Sequence, residues 1–550
     1  MSIELADQGP ESAPLVKDFH QILLWPLQLM PVNNDLQIQH HWENLDYEGS
    51  PWKELDDEFP EDPTKLQERH YREFVSFLPH VQRFLYGERA TRAGRSGYGE
   101  SPIRVFRRMD ARAVRLRFPG EAEPLTLDIV HTDLYFYYDV DVVLLALEVH
   151  GSNLPLWRVQ DIMHRFGRAY PGGWTEMGDG ANCLDSVEWL DGAGHVLAKS
   201  DYQNRDKFLT AVCKNQTPAI AAHWEYILSP LVPNHSEAKS NLRYRLIEHY
   251  RMPIMAYLST ENPAEVTRAD YVRLAFAGAP GEDLPLASGY LSDFESKYCY
   301  DRFFQPSRPE WTNTRILCCG HTFVAVGDAN RTLFTDSERG FLAQFRHQLF
   351  FLGMIAHFHR AAMLMMSDRL VTTMSRLDIT RPDTVRKFRR DIRLTHEVFL
   401  RFTHRYFFSE VSDQVMARDL FRMWSGHLGT QKLYEELREE IHDMSHYLET
   451  DMLRRQAMTL LQLTVVTVLS LIGTITTGFL GMNIFSHGEL PWPDRILIFL
   501  AAFGGITLLT FYTLAKSQRL AMFLDGVANE KVPFLSKMKL LLNVWGKSKY

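Results

Sequence analysis

The sequence predicts an α+β membrane protein: a mixed α/β region over residues 1–330, a long helical stalk, and two membrane-spanning helices near the C-terminal end. Three observations predict it. Period-two and β-rich runs alternate with helical ones before residue 330. From 335 to 457 the pattern is helical and rich in capping and heptad-like signals. After 457, two stretches without charge follow one another closely.

The 550 residues carry 60 Lys and Arg against 68 Asp and Glu, a net charge of −8. That balance lacks the overall basic charge of a nucleic-acid binder, so no nucleic-acid partner is expected. An apolar share of 45% with 23% charged residues excludes a disordered or collagen-like chain. Five dispersed cysteines without a C-x-x-C exclude a disulfide scaffold or zinc ribbon. The N-terminus begins acidic (Glu4, Asp7, Glu11), and its early apolar run, 22–30, contains Pro26 and lacks a basic flank, so no signal peptide is read there. The bulk of the chain is expected to be cytosolic.

In 1–330, residues 114–118 alternate with period two, and 125–130, 134–138, 142–149 and 316–326 are β-rich, while 156–169 reads as helix. No Walker, kinase, H-E-x-x-H or G-x-S-x-G pattern occurs, so no enzyme is expected. Asp139 and Asp141 read as a solvated strand end, and 89–99, with Gly94, Gly97 and Gly99, as a loop. The acidic run Glu54, Asp56, Asp57, Glu58, Glu61, Asp62 reads as solvated, or as a regulatory cation site in which Asp56, Asp57 and Glu58 are the ligands.

A capping box at Thr335-Asp336-Ser337-Glu338 predicts a helix over 335–369, with His357 and His359 on diverging faces as ordinary packing or surface residues. Thr380-Arg381-Pro382-Asp383 predicts a second, over 382–409, completing a helical hairpin, 335–412, packed on the stalk. A third helix begins near Asp413, is disturbed around Gly426 and Gly429, and runs unbroken from Thr430 through Asn483, with 413–457 as the stalk. Leu433, Leu437, Ile441, Met444, Leu448 and Met452 form an apolar seam suited to bundling against copies of itself. Glu435, Glu439, His442, His446 and Glu449 recur on one face of the stalk; this is a solvated face or, lining a pore, a set of transition-metal ligands.

Residues 458–480 hold no charge over 23 positions, about 34 Å of helix against a bilayer core of about 30 Å. Residues 496–515 give a second span. Arg454 and Arg455 precede the first and Lys516, Arg519 and Lys531 follow the second, while the connection holds only Arg495, so both ends are read as cytoplasmic. Thr459, Leu463, Thr467, Ser470, Thr474, Thr477, Gly478 and Gly481 fall within an arc of about 100° on the first span. Such a stripe either permits close helix packing or lines a wet path. The tail, 516–550, is basic and apolar by turns, either an amphipathic segment on the inner leaflet or a helix packed on the cytosolic domain.

The first span ends in Gly481-Met482-Asn483 and is followed by a short loop, 484–495, with Glu489-Leu490. In these features the chain resembles the CorA family of divalent-cation channels, which carry a Gly-Met-Asn signature at the end of the first of two C-terminal spans. The resemblance implies a homopentameric funnel in a bacterial inner membrane, passing hydrated Mg²⁺ or Co²⁺, Ni²⁺ or Zn²⁺ as cargo, with no cofactor. It assigns Gly481, Met482 and Asn483 to the selectivity filter. A ring of Asn483 carbonyls can accept hydrogen bonds from the water shell of the ion. Thr467, Ser470, Thr474, Thr477 and Gly478 would continue the pore lining, with Leu460, Leu463 and Leu471 as apolar constrictions and Glu489 and Asp494 concentrating cations at the outer mouth. The sequence departs from the family near the inner end, where Gln456, Ala457, Thr459 and Gln462 replace a frequent asparagine, and in its longer N-terminal region. The alternative is a membrane-anchored sensor whose large cytosolic domain binds a ligand or protein.

Overall fold

The computed structural model describes residues 14–31, 40–55, 67–87, 102–248, 251–281, 286–305, 307–308, 313–378, 382–481 and 491–515. The chain forms two compact units, Met1–Met444 and Ser445–Tyr550.

The first unit is built on one mixed sheet whose strands are β1 (Leu15–Leu29), β2 (Trp52–Glu54), β3 (Ile103–Arg108), β4 (Ala113–Arg117), β5 (Leu125–Tyr137), β6 (Val142–Pro155), β7 (Ser186–Leu190), β8 (Val196–Lys199), β9 (Val232–Pro233), β10 (Arg243–Leu246), β11 (Ile254–Thr260), β12 (Cys299–Phe303), β13 (Thr314–Cys318) and β14 (Thr322–Asp328). Its main path runs β12-β13-β14-β11-β1-β6-β5-β4-β7-β8, antiparallel except at β11 and β14. The helices are α1 (Glu68–Ser76), α2 (Pro79–Tyr86), α3 (Leu156–Arg165), α4 (Arg205–Asn215), α5 (Ala222–Leu228), α6 (Arg268–Phe276), α7 (Ser288–Tyr298), α8 (Thr332–Thr335), α9 (Phe341–Gln344), α10 (Phe350–Ser375), α11 (Pro382–Arg405), α12 (Val415–Leu428), α13 (Thr430–Gly481) and α14 (Trp492–Ala515).

The apolar run at 22–30 belongs to β1, the strand at the centre of the sheet. Both of its faces are buried, which is why it reads as nearly continuous apolar sequence. Pro26 is tolerated because that edge of β1 changes partner there: β11 pairs with Val16–Leu23 and β10 with Leu27–Leu29, so the missing N–H breaks no ladder bond. Phe19, Leu23, Trp25 and Leu27 join one core with α3, α5 and α6. On the opposite face lies α10, whose Phe358 stacks on Tyr137 at 3.7 Å between ring centroids.

Several expected boundaries shift for local reasons. Runs 125–130 and 134–138 are one strand, β5, interrupted by a bulge at Ile129/His131. Run 316–326 is a hairpin of β13 and β14 that turns at Gly320, φ +79°. Thr335-Asp336-Ser337-Glu338 starts no helix. Instead the Asp336 carboxylate accepts the backbone N–H groups of Glu338 and Arg339 at 2.7 and 3.1 Å, closing a turn after α8. The chain re-enters helix at Phe341, passes through one π turn at Phe345–Leu349, and continues as α10. Gly429, φ +64°, separates α12 from α13, while Gly426 stays helical.

Gly353 marks the closest approach of α10 to its surroundings. A Cβ there would lie 2.5 Å from Trp424 Cη2 and 3.0 Å from Met255 Sδ. Trp424 is buried and its indole N–H is held by the Gly320 carbonyl at 2.9 Å, so it cannot retreat. Gly353→Ala is therefore expected to destabilise the protein by about 1–3 kcal/mol. Thermal unfolding of the full chain in detergent checks this, and an unchanged midpoint would show that the indole can move.

Candidate functional site

The proposed pore helix lies in α13, a helix of 52 residues with no proline. Five of its threonine hydroxyls are satisfied within the helix. Thr464, Thr467, Thr474, Thr476 and Thr477 each donate to the carbonyl four residues earlier at 2.7–2.9 Å. A hydroxyl that spends its proton this way leaves its lone pairs directed outward, so the face presents acceptors rather than donors.

Leu460, Leu463, Thr467, Ser470, Leu471, Thr474, Thr477, Gly478 and Gly481 are all exposed in the single chain. Ile472 and Thr476, by contrast, are 2% and 1% exposed. At 100° per residue the midpoint of that buried pair lies about 180° from the centre of the stripe, so the polar stripe occupies the side opposite the buried one. A Cβ added at Gly478 or Gly481 would meet no atom within 4 Å, so nothing among the described residues uses their small size.

Two described helices are long and apolar enough to cross a membrane. One, Trp492–Tyr512 in α14, has a mean hydropathy of 1.8 and is only 6% buried over its most apolar stretch. The other, Phe341–Ser375, was not expected as a span and is 83% buried under the sheet unit's own side chains, which makes it a core helix. In α13 the described apolar part is Leu463–Gly478, shorter than the 458–480 read from sequence. Asp494 is exposed in the first turn of α14, where a negative charge also complements the helix dipole. Met482, Asn483 and Glu489 lie outside the described residues, as do Asp56, Asp57 and Glu58.

The stalk stripe Glu435, Glu439, His442, His446 and Glu449 is exposed throughout. Among the described residues no group of three His, Cys, Asp or Glu side chains converges as a metal site. The apolar seam behaves differently from its expected bundling role. Leu437 and Ile441 are already buried at 1% and 2% in the single chain, and the neighbouring Tyr434 stacks on Phe407 at 4.5 Å. These turns of α13 spend their apolar face inside their own chain.

The structure also reveals charged groups whose roles the sequence misassigned. Asp139 and Asp141 form no solvated strand end; they sit in the β5–β6 turn and tie it to helices. Asp139 accepts from Tyr406 Oη at 2.6 Å and pairs with Arg401 and Arg405. Asp141 accepts from His41 Nε2 at 3.0 Å and pairs with Arg369. Burial pushes the Asp141 carboxyl up, but Arg369 and His41 outweigh it and hold it well below the usual range. Glu148, fully buried on β6, is hydrogen-bonded to His20 Nδ1 at 2.9 Å, while His131 Nδ1 at 3.2 Å and Arg346 Nε at 2.8 Å lie beside its carboxylate as charge contacts. His357 and His359 are buried packing residues, and desolvation lowers them to about 3 and about 4.

No family model matches the sequence, and no curated protein matches it. Among solved structures, the chain is matched to one titled "structure of the full-length CmaX protein" at 13% identity and a TM-score of 0.18, over 48% of this chain and 88% of that one.

Proposed function

We propose that this chain is one subunit of a CorA-like divalent-cation channel that passes hydrated Mg²⁺, or Co²⁺, Ni²⁺ or Zn²⁺, through a homopentameric pore, with both chain ends cytoplasmic. The observation that carries the reading is the exposed, acceptor-presenting stripe on α13, opposite the buried Ile472 and Thr476 and leading into Gly481-Met482-Asn483. A hydrated cation turns the hydrogens of its water shell outward, and a wall of hydroxyl lone pairs and Asn483 carbonyls accepts them without stripping the ion. Mg²⁺ dehydrates reluctantly, so recognising the shell costs less than removing it. Glu489 and Asp494 supply negative potential at the outer mouth, and Leu460, Leu463 and Leu471 form the apolar constrictions that close by dewetting.

Flux of each of the four ions into sealed proteoliposomes holding the purified full chain tests the reading; no flux of any of them would overturn it. Within that assay, Leu471→Asn is expected to wet a constriction and raise basal leak several-fold. Leak equal to wild type would move the gate to Leu463 or Leu460.

One observation supports a second reading, a membrane-anchored sensor. A cleft of 350 Å³ opens in the sheet unit beside α4 and β10, lined by Ala211, Ile220, Glu225, Leu231 and Tyr244, a volume within the range of small-molecule sites. That reading predicts intact membrane insertion with no cation flux in the same liposomes.

A further inference from the structure

The 350 Å³ cleft of the sheet unit is bounded by the end of α4, by α5 and by the short strands β9 and β10. Local geometry decides which side chains reach it. On α5, Trp224, Ile227 and Leu228 fill the core, which leaves Glu225 off the buried face and half-buried at the cleft. On β10, successive side chains point to opposite faces, so Tyr244 joins the core while Arg245 points the other way. Arg245 borders the cleft, but its guanidinium lies 3.8 Å from Asp368 of α10, on the far side of the sheet from that core. Ala211, Ile220 and Leu231 make the walls largely apolar.

Two polar groups at this cleft are short of partners. Tyr244 is 2% exposed, and its hydroxyl has no hydrogen-bond partner among the described residues. Burial pushes the phenol well above its ordinary range and the neighbouring Glu225 charge adds to this, so the hydroxyl stays protonated. The Glu225 carboxylate accepts no hydrogen bond from any described residue. Lys207 Nζ comes within 3.4 Å of it, but that ammonium is hydrogen-bonded to Asp201 at 2.8 Å. An anionic ligand would be repelled by Glu225. A purely apolar one would cover the carboxylate without compensating it and would leave the Tyr244 hydroxyl unpaired. A cation on an apolar body answers both groups and the walls together, the pattern of a largely apolar pocket with a few placed polar groups.

We propose that this cleft binds a small organic ammonium ion, a primary amine on an apolar body, with Glu225 as its counter-charge and the Tyr244 hydroxyl as its second hydrogen-bond acceptor. The inference gives the sensor reading a class of ligand but does not rest on it, and it is compatible with the channel reading. Its test reads binding and not flux, so its failure leaves both readings where they stand.

The full chain in a non-ionic detergent is titrated calorimetrically at pH 7 and about 0.15 M salt with 2-phenylethylamine, and separately with 3-phenylpropionate, a carboxylate of similar bulk. The amine is expected to bind with a Kd below about 1 mM, and the carboxylate at least tenfold more weakly. Glu225→Gln, a half-buried and nearly isosteric change, should weaken the amine at least tenfold while leaving the thermal midpoint of the unliganded protein in place. Tyr244→Phe keeps the ring and should weaken it at least threefold. No amine binding, equal binding of the carboxylate, or undiminished amine binding in either variant overturns the proposal. Where Tyr244→Phe fails to fold, Glu225→Gln decides by itself, and heat that persists in that variant assigns the signal to the micelle.

Discussion

Asn483→Ala will abolish selective divalent flux in proteoliposomes while the detergent-solubilised oligomer keeps its mass. The alanine removes one carboxamide per subunit, and with it the ring of carbonyl acceptors proposed to hold the ion's water shell at the mouth. It adds nothing bulky, and alanine is a better helix former than asparagine, so the helix leading to it should persist. The expected loss is at least a hundredfold in Mg²⁺ flux over a background of leak. The check is flux of Mg²⁺ and Co²⁺ measured beside the mass of the same preparation. Wild-type flux with wild-type selectivity would remove Asn483 from the filter and, with it, the strongest residue-level support for the CorA-like reading.

Glu148→Leu is expected to be the most destabilising single change in the sheet unit. Glu148 is 0% exposed, and its carboxylate is shared by His20, His131 and Arg346, the last supplied by the π turn that leads into α10. Removing it leaves the Arg346 charge without its counter-charge and takes away the hydrogen-bond partner of His20, a loss of about 3–5 kcal/mol. The figure belongs toward the lower end because the Arg346 side chain is 26% exposed and can take up water. The pH dependence follows from the same contacts. Burial alone would raise the carboxyl, but the His20 hydrogen bond and the charges of His131 and Arg346 lower it from 4.5 to about 2. Its contribution is therefore full above about pH 4.5 and is lost as pH falls through about 2. Wild-type stability should decline across that window, and the leucine variant, already destabilised at neutral pH, should lose this part of the acid limb. Denaturation midpoints of both proteins at pH 7, 5 and 3 measure it; parallel curves would show that another group carries the acid sensitivity.

Much of the C-terminal half was legible because its signals are local. Gly429 breaks the helix because its φ is positive, a conformation glycine adopts without strain, and Pro382 opens α11 because proline's fixed φ and absent N–H suit a first turn. The hydroxyl stripe of α13 follows from helical period alone, and the structure adds only that each threonine bonds back to its own helix. Where a partner had to be known, sequence alone did not place the element. The 22–30 run and the helix beginning at Phe341 are both apolar, yet one is a central strand and the other a core helix, because each is surrounded by other elements on every side. Asp139 and Asp141 resemble any polar turn until Arg369, Arg401 and Arg405, more than two hundred residues away in the chain, arrive beside them. The same holds for Glu148, whose three partners come from β1, β5 and the π turn before α10.

By itself, then, the sequence determined that the long C-terminal segments are helical, which stretches are uncharged enough for a bilayer, and which face of α13 is polar, since these depend on spacing within one element. Tertiary structure decided which apolar faces are already spent. Leu437 and Ile441 are used inside their own chain, whereas Leu463 and Leu471 remain exposed, and only long-range packing separates two seams that look alike in periodicity.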